Sequence, residues 1–146
     1  MKTKRTRRLQ IVLGLSLLVA AGMAAPLFAQ STETMVAKIS FEFVAGDRTL
    51  PAGEYIVRPA GRALQIRSTV GQESSFAFIT NSIQRPKVTW AGGKLIFNKY
   101  GATYFLSEIW KPESRYGHEL LQSSLERELA QGKSIPQVTS VVAQQQ

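Results

Sequence analysis

The sequence has no cysteine and very little of two other residues that build reactive sites. His118 is its single histidine and Asp47 its single aspartate. Without cysteine the chain forms no disulfide, no thiolate metal site and no thiol nucleophile. One histidine cannot supply a histidine cluster for a metal, and no Gly-x-Ser-x-Gly segment provides a strained nucleophilic serine. These absences argue against an enzyme and lead us to expect no metal and no cofactor.

Basic residues outnumber acidic ones by 18 to 10, but their distribution is uneven. Lysines and arginines crowd the first eight positions, and an apolar run follows from residue 11 to residue 25. A basic start, an apolar stretch and a small residue at the cut form the pattern of a secretory signal peptide. We therefore expect residues 1–29 to be a signal peptide cleaved after Ala29, and the mature protein to be periplasmic or extracellular.

A retained membrane anchor is the alternative interpretation of this segment. The apolar run is shorter than the ~20 residues that a spanning helix needs, and Pro26 would interrupt its extension. After cleavage 13 basic and 10 acidic residues remain, a net charge of +3. With that balance we expect no nucleic-acid partner. We also expect no membrane span once the signal peptide, which holds the long apolar run, has been removed.

The rest of the chain shows the period-two alternation that is typical of short strands. Residues 35–44 alternate in this way, and the clearest hairpin is predicted from residues 94–100 and 103–110. Glycine and proline turns separate the other segments. The pattern predicts a mainly β fold, an antiparallel sandwich or small barrel of about six or seven short strands with one C-terminal helix. We expect one domain over residues 30–135.

The single helix is predicted at about residues 122–131. Ser123 and Glu126 have the spacing of a capping box, and Gly132 is placed to end the helix. Leucines recur at every fourth position from 121 to 129 and form an apolar stripe, which we expect to dock on the hairpin. From residue 136 onward we expect a flexible tail.

Several short motifs recur in a fixed order along residues 35–130. They are Phe41-x-Phe43, then Leu-Pro-Ala-Gly-Glu-Tyr-x-Val at 50–57, then Tyr-Phe-Leu-x-Glu-Ile-Trp at 104–110. This set resembles a family of small, secreted, uncharacterised bacterial proteins. The resemblance implies export and a β-rich fold. It carries no activity and no site residues.

Aromatic residues in the second half of the chain are the best candidates for binding a ligand. Flat aromatic faces with a polar rim stack on sugars or pack against apolar ligands and peptides. Packing in the core is the alternative role for these aromatic residues. Trp90 is an exception to that alternative, because it lies in an irregular segment beside two glycines. We take Trp90, Tyr104, Glu108 and Trp110 as the candidate ligand-binding residues.

Glu108 is the candidate for chemistry, because strict alternation places it on one strand face with Tyr104, Leu106 and Trp110. A carboxylate buried there needs a cationic partner such as Lys99 or Arg115, or it takes up a proton. We favour an ion pair over catalysis by paired carboxylates.

The sequence therefore predicts an exported, non-enzymatic β-domain that binds a partner such as an envelope polysaccharide or another envelope protein. A small carboxylate-dependent hydrolase around Glu108 is one alternative. A carrier of an apolar ligand is another, if the strands close into a hollow barrel. No catalytic residue is assigned, and we expect His118 to be solvated in a polar connection.

Overall fold

The structure is a computed structural model that describes residues 34–85, 91–132 and 135–146. These residues belong to one compact unit. The predicted signal peptide, residues 1–29, lies outside the described residues. The elements are β1 (Met35–Ile39), β2 (Phe43–Ala45), β3 (Arg48–Leu50), β4 (Gly53–Ala60), β5 (Ala63–Ser68), β6 (Ser74–Gln84), β7 (Gly93–Tyr100), β8 (Thr103–Trp110), β9 (Tyr116–Leu120), α1 (Ser124–Gln131) and β10 (Gln137–Gln145).

Eight of the strands form a closed antiparallel barrel. Their order is β8-β7-β10-β1-β4-β5-β6-β9, and pairing of β9 with β8 closes the ring. The short hairpin β2–β3 lies beside the beginning of β8, where β2 runs parallel to it. The predicted β-rich fold with one helix is confirmed, and it is a barrel rather than a sandwich. The strands number ten because the strand predicted over residues 35–44 is divided into β1 and β2, and three segments predicted as turn, connection or tail also join the sheet, namely β3, β9 and β10.

Side chains fill the middle of the barrel, because alternate residues of each strand point inward. Phe43 of β2 belongs to this core, and its ring meets those of Tyr55 and Phe97 edge to face, with centroids 5.3 and 5.5 Å apart. All three residues are almost fully buried. The Tyr55 hydroxyl donates a hydrogen bond to the Pro51 carbonyl oxygen at 2.7 Å, so burying the ring leaves its polar atom satisfied.

The C-terminal segment is a strand of the barrel, so the prediction of a flexible tail from residue 136 is wrong. Strand β10 pairs with β7 along its length and with the first residues of β1. Ala143 is fully buried in the core, whereas Val138 and Val142 point outward. With apolar residues on both faces and glutamines at the end, the segment lacks the simple alternation of a half-buried strand.

The predicted helix is confirmed, but it docks through a different face. The Ser123 hydroxyl accepts a hydrogen bond from the Glu126 backbone N–H at 3.1 Å and begins the helix, as the capping motif predicts. The leucine stripe is exposed instead of docked, and Glu126 is the buried residue, at 2% exposure. Its Oε1 accepts a hydrogen bond from Asn98 Nδ2 on β7 at 3.0 Å. Ala130, one turn later, packs against Tyr100 and Phe105.

Candidate functional site

A cavity of about 570 Å³ lies at one end of the barrel. It is bordered by the starts of β1 and β9, the ends of β8 and β10, and the β4–β5 turn. The connection between β8 and β9 forms one side of its mouth. Its lining residues are Met35, Val57, Arg58, Pro59, Gly61, Leu64, Ile79, Ile109, Lys111, Pro112, Ser114, Tyr116, His118 and Gln145.

The floor of the cavity is apolar. Met35, Val57, Leu64 and Ile109 come from four different strands, and each is at most 5% exposed. They are the last layer of the barrel core, so the packing that stabilises the fold also shapes the floor. Water over such a surface is displaced favourably by an apolar group.

The mouth of the cavity is polar and basic. Lys111 directly follows β8 and lines the cavity, and the Cα of His118 lies opposite that of Ile109 across β8 and β9. Tyr116 and Ser114 add hydroxyl groups to the same side. No aspartate or glutamate is among the described residues that line the cavity.

The β8–β9 connection is tightly folded. The Ser114 N–H donates to the Lys111 carbonyl oxygen at 3.4 Å, and the Tyr116 N–H donates to Ser114 Oγ at 3.0 Å. Glu113 adopts a left-handed backbone conformation with φ of 52°, which an L-residue adopts at a cost. These contacts hold Lys111 and Ser114 at the mouth.

The described residues among the sequence-predicted binding residues do not line the cavity. Trp90 lies outside the described residues. Tyr104 lies at the start of β8, away from the cavity, and its ring stacks on Phe41 with centroids 4.0 Å apart. Lys99 Nζ lies 5.0 Å from the centroid of the Tyr104 ring on the same side of the barrel. Tyr104 therefore packs at the other end of the core.

Glu108 and Trp110 point to the outside of the barrel. Trp110 is 2% exposed, and its Nε1 donates to Glu108 Oε2 at 2.7 Å. Arg85 forms an ion pair with the same oxygen at 3.4 Å, and its guanidinium carbon lies 4.7 Å from the centroid of the Trp110 ring. The expected ion pair of Glu108 is confirmed, with Arg85 as the partner instead of Lys99 or Arg115.

A β-bulge explains why Glu108 does not share a face with Tyr104 and Leu106. Glu108 lies opposite Ile96 and Leu106 lies opposite Phe97, so Ser107 is an extra residue in β8. Its hydroxyl donates to the Ile96 carbonyl oxygen at 3.1 Å. Strict alternation fails at such a residue, and every later side chain moves to the other face.

The sequence does not identify the residues that line the cavity, and the reason is not a bulge. Met35, Leu64 and Ile109 are recognisable from the sequence as core residues, but no local pattern shows that they end the core. His118 was expected to be solvated in a polar connection. It lies instead in β9 and lines the cavity, because β9 pairs with both β6 and β8.

The part of the chain that the structure describes contains no group of three or more histidine, aspartate or glutamate residues that could hold a metal ion. None of its helices is both long enough and apolar enough to cross a membrane.

No protein-family model, curated protein or solved structure matches this chain.

Proposed function

We propose that this protein is an exported, non-enzymatic β-barrel that binds a small apolar molecule in the cavity at the end of the barrel. The volume of about 570 Å³ falls within the ~300–1,000 Å³ that is usual for small-molecule sites. The signal-peptide pattern of residues 1–29 supports export.

The observation that carries the proposal is the apolar floor beneath a polar mouth. Each methylene group that a ligand buries on Met35, Leu64 and Ile109 contributes about 0.8 kcal/mol. Tyr116 at the mouth is 56% exposed, so it remains in contact with water and can orient the ligand. A wide apolar floor with a few polar groups is the usual composition of a ligand pocket.

The burial of Trp110 counts against sugar binding on the outer face. A stacking platform needs an open ring face, whereas this ring is 2% exposed and Arg85 lies over it. Its indole N–H already donates to Glu108. Burial and hydrogen bonding thus favour a structural role for this pair of residues.

Binding can be tested with a neutral fluorescent naphthylamine probe and with native mass spectrometry of freshly purified protein. We expect the probe to bind the wild-type protein. Ile79 lines the cavity and is partly buried, so Ile79→Trp fills the space and should weaken probe binding at least ~10-fold, the loss of a few buried methylene groups.

Val138→Trp is the matched control, because Val138 is 68% exposed on the outside of β10. It should bind the probe as the wild-type protein does, and thermal melting should show that both variants are folded. Absence of probe binding by the wild-type protein, or equal binding by both variants, would refute the proposal.

A further inference from the structure

We propose that the outer face of β4, β5 and β6 docks the protein on the surface of an anionic phospholipid bilayer. Phe76 and Phe78 enter the interface between water and lipid, and the arginines around them contact the phosphate groups. This surface lies on the outside of the barrel, so docking does not depend on the ligand proposed for the cavity.

Three neighbouring strands present nine side chains on this face, in three rows. Residues that lie opposite each other on paired strands share one face of the sheet. The rows are Ile56, Arg67 and Ser74, then Arg58, Gln65 and Phe76, then Ala60, Ala63 and Phe78. The residues that alternate with them, such as Val57, Ile66 and Ala77, are buried in the core. The nine side chains therefore point outward, and we call them the outer grid.

Two large aromatic side chains of the outer grid are exposed to solvent. Phe76 is 50% exposed and Phe78 is 59% exposed. Leu121, which is 49% exposed, extends this apolar surface, because its backbone N–H donates to the Phe78 carbonyl oxygen at 2.8 Å. Apolar groups that lie together on a surface and are rimmed by polar residues are typical of sites that bind a protein or a membrane.

The charge of the outer grid is positive. Arg58 and Arg67 are its charged members, and none of its nine described residues carries a carboxylate. Arg62, in the turn between β4 and β5, adds a guanidinium beside the last row. Within the described part of the chain, the side chains of Arg62 and Arg67 form no hydrogen bond or ion pair. Both are exposed, so both are available to an anionic partner.

Carboxylates lie around the outer grid and not within it; they belong to Asp47, Glu54, Glu73 and Glu119. The Cα of Glu54 lies opposite that of Lys38 on β1, and Glu119 accepts a hydrogen bond from a side-chain amide of β6. Arg48 adds a cation at the border, where its Nη1 donates to the Ser74 carbonyl oxygen at 3.1 Å. The centre of the face is thus apolar and cationic, which favours an anionic partner.

A bilayer fits this combination better than a second copy of the chain does. The outside of a closed barrel is convex, so the two phenylalanine rings reach a flat surface first. Arginine lays its apolar stem along such rings while its guanidinium binds a phosphate group. A two-fold dimer through the same face would bring the like charges of Arg58 and Arg67 together.

The outer grid also adjoins the rim of the cavity. Arg62 follows Gly61 and Phe78 precedes Ile79, and both Gly61 and Ile79 line the cavity. Docking through the outer grid therefore places this side of the rim near the bilayer.

The absence of cysteine permits a test at a single labelled position. Ser74→Cys, in the outer grid, is labelled with the polarity-sensitive fluorophore NBD. Val138→Cys carries the same label as a control, because Val138 is exposed on β10, which lies four strands from β6 in either direction around the barrel. Vesicles contain either phosphatidylcholine alone or equal parts of phosphatidylcholine and phosphatidylglycerol.

We expect the label at residue 74 to become brighter with the anionic vesicles at low salt and to change little with phosphatidylcholine alone. The label at residue 138 should change little with either. This comparison also separates docking through the outer grid from any contact of residues 1–29 with lipid.

Vesicle titrations of the label at residue 74 measure the apolar part of the interaction. Phe76→Ser combined with Phe78→Ser should weaken binding at least ~10-fold, because the apolar contacts with lipid are lost. Val138→Ser combined with Val142→Ser is the matched control, since it removes two exposed apolar residues that lie two positions apart on β10. Binding by this control should be unchanged, and thermal melting should show that both variants are folded.

The electrostatic part is measured in the same way. Arg67→Gln should weaken binding about fivefold, the contribution of one arginine at an anionic surface, and the loss should shrink as salt is added. Arg127→Gln removes the same charge from an exposed position on α1 and should have less than about a twofold effect.

An unchanged label at residue 74, an equal response at residues 74 and 138, or equal binding to both kinds of vesicle would overturn the proposal. Self-association that disappears in the double phenylalanine variant would instead assign the face to a second copy of the chain. A response to soluble polygalacturonate without a response to vesicles would assign it to an anionic polysaccharide. None of these results affects binding of the naphthylamine probe in the cavity.

Discussion

The contact among Arg85, Glu108 and Trp110 shows how one carboxylate can hold an indole in place on the outside of a barrel. Glu108 accepts from the buried indole N–H and pairs with a guanidinium that is 45% exposed. Gly117 on β9 completes the arrangement, because a Cβ there would lie 2.6 Å from the Trp110 ring. The indole hydrogen bond is therefore the stronger of the two contacts of Glu108, and the exposed ion pair contributes little.

Two substitutions of Glu108 separate these contacts. Glu108→Gln retains an acceptor for the indole and should lower the free energy of unfolding by less than about 1 kcal/mol. Glu108→Leu removes the acceptor and should lower it by about 1–3 kcal/mol, measured by urea denaturation. Equal losses would contradict this account. Turnover of ester or glycoside substrates that disappears in Glu108→Gln would instead favour the hydrolase hypothesis.

For single residues, the sequence predicts which kind of contact a side chain needs better than it predicts which residue provides that contact. It indicates that Glu108 needs a cationic partner, because a desolvated carboxylate requires one. It does not identify Arg85, which belongs to a different strand and reaches Glu108 only after β6, β9 and β8 have paired. Nor does the sequence reveal the bulge, since nothing in the type of residue at Ser107 distinguishes an extra residue from a paired one.

Helix α1 is attached to the barrel through a buried carboxyl group. Burial raises the pKa of Glu126 above its ordinary value, and the hydrogen bond from Asn98 partly opposes this rise. Tyr100 of β7 is the titratable neighbour, and its own pKa is raised by burial and then by the negative charge of Glu126. The folded protein therefore holds the Glu126 proton more tightly than the unfolded chain does.

Stability should depend on pH through this group. The contribution of Glu126 is complete below its ordinary pKa of 4.5 and is lost as the pH rises through the higher pKa of the folded state. Glu126→Gln should therefore be more stable than the wild-type protein at neutral pH, with the difference shrinking as the pH approaches 4.5. Urea denaturation across this range measures it.

Glu128→Gln is the control for this experiment, because Glu128 is exposed on the same helix. Its stability should follow the pH dependence of the wild-type protein. A Glu126→Gln variant that also follows the wild-type protein at every pH would show that the buried carboxyl does not govern docking of the helix.

The ends of the helix could be predicted, but its docking face could not. Capping depends on residues three positions apart, so Ser123 and Glu126 show it directly. Docking depends on what the barrel presents, and β7 presents the amide of Asn98 to the helix. A small residue at Ala130 lets the helix approach Tyr100 and Phe105 closely, whereas the leucines stay exposed.

For the whole molecule, the barrel depends on its C-terminal strand. Strand β10 fills the position between β7 and β1, and the Cα of Gln145 lies opposite that of Met35. The strands with strong local signals, such as β7 and β8, could be predicted from alternation and turns. The positions of β9 and β10 could not, because each is stabilised mainly by strands far away in the sequence.

A pair of substitutions tests the role of β10. Ala143 is fully buried and Val142 is 61% exposed. Ala143→Asp places a charge in the core and should lower the free energy of unfolding by more than about 4 kcal/mol, enough to unfold many small domains. Val142→Asp should change it by less than about 1 kcal/mol. Circular dichroism melting measures both changes. If neither substitution changed the stability, residues 137–145 would be a frayed tail and not a strand of the barrel.

The central position of the last strand also affects how the chain folds during synthesis. One edge of β1 and one edge of β7 have no partner until β10 arrives between them. A chain that emerges from its N-terminus onward therefore stays an open, incomplete sheet until the residues of β10 have been synthesised. Such a delay is compatible with the export proposed above, in which the polypeptide is threaded across a membrane before it acquires its native state.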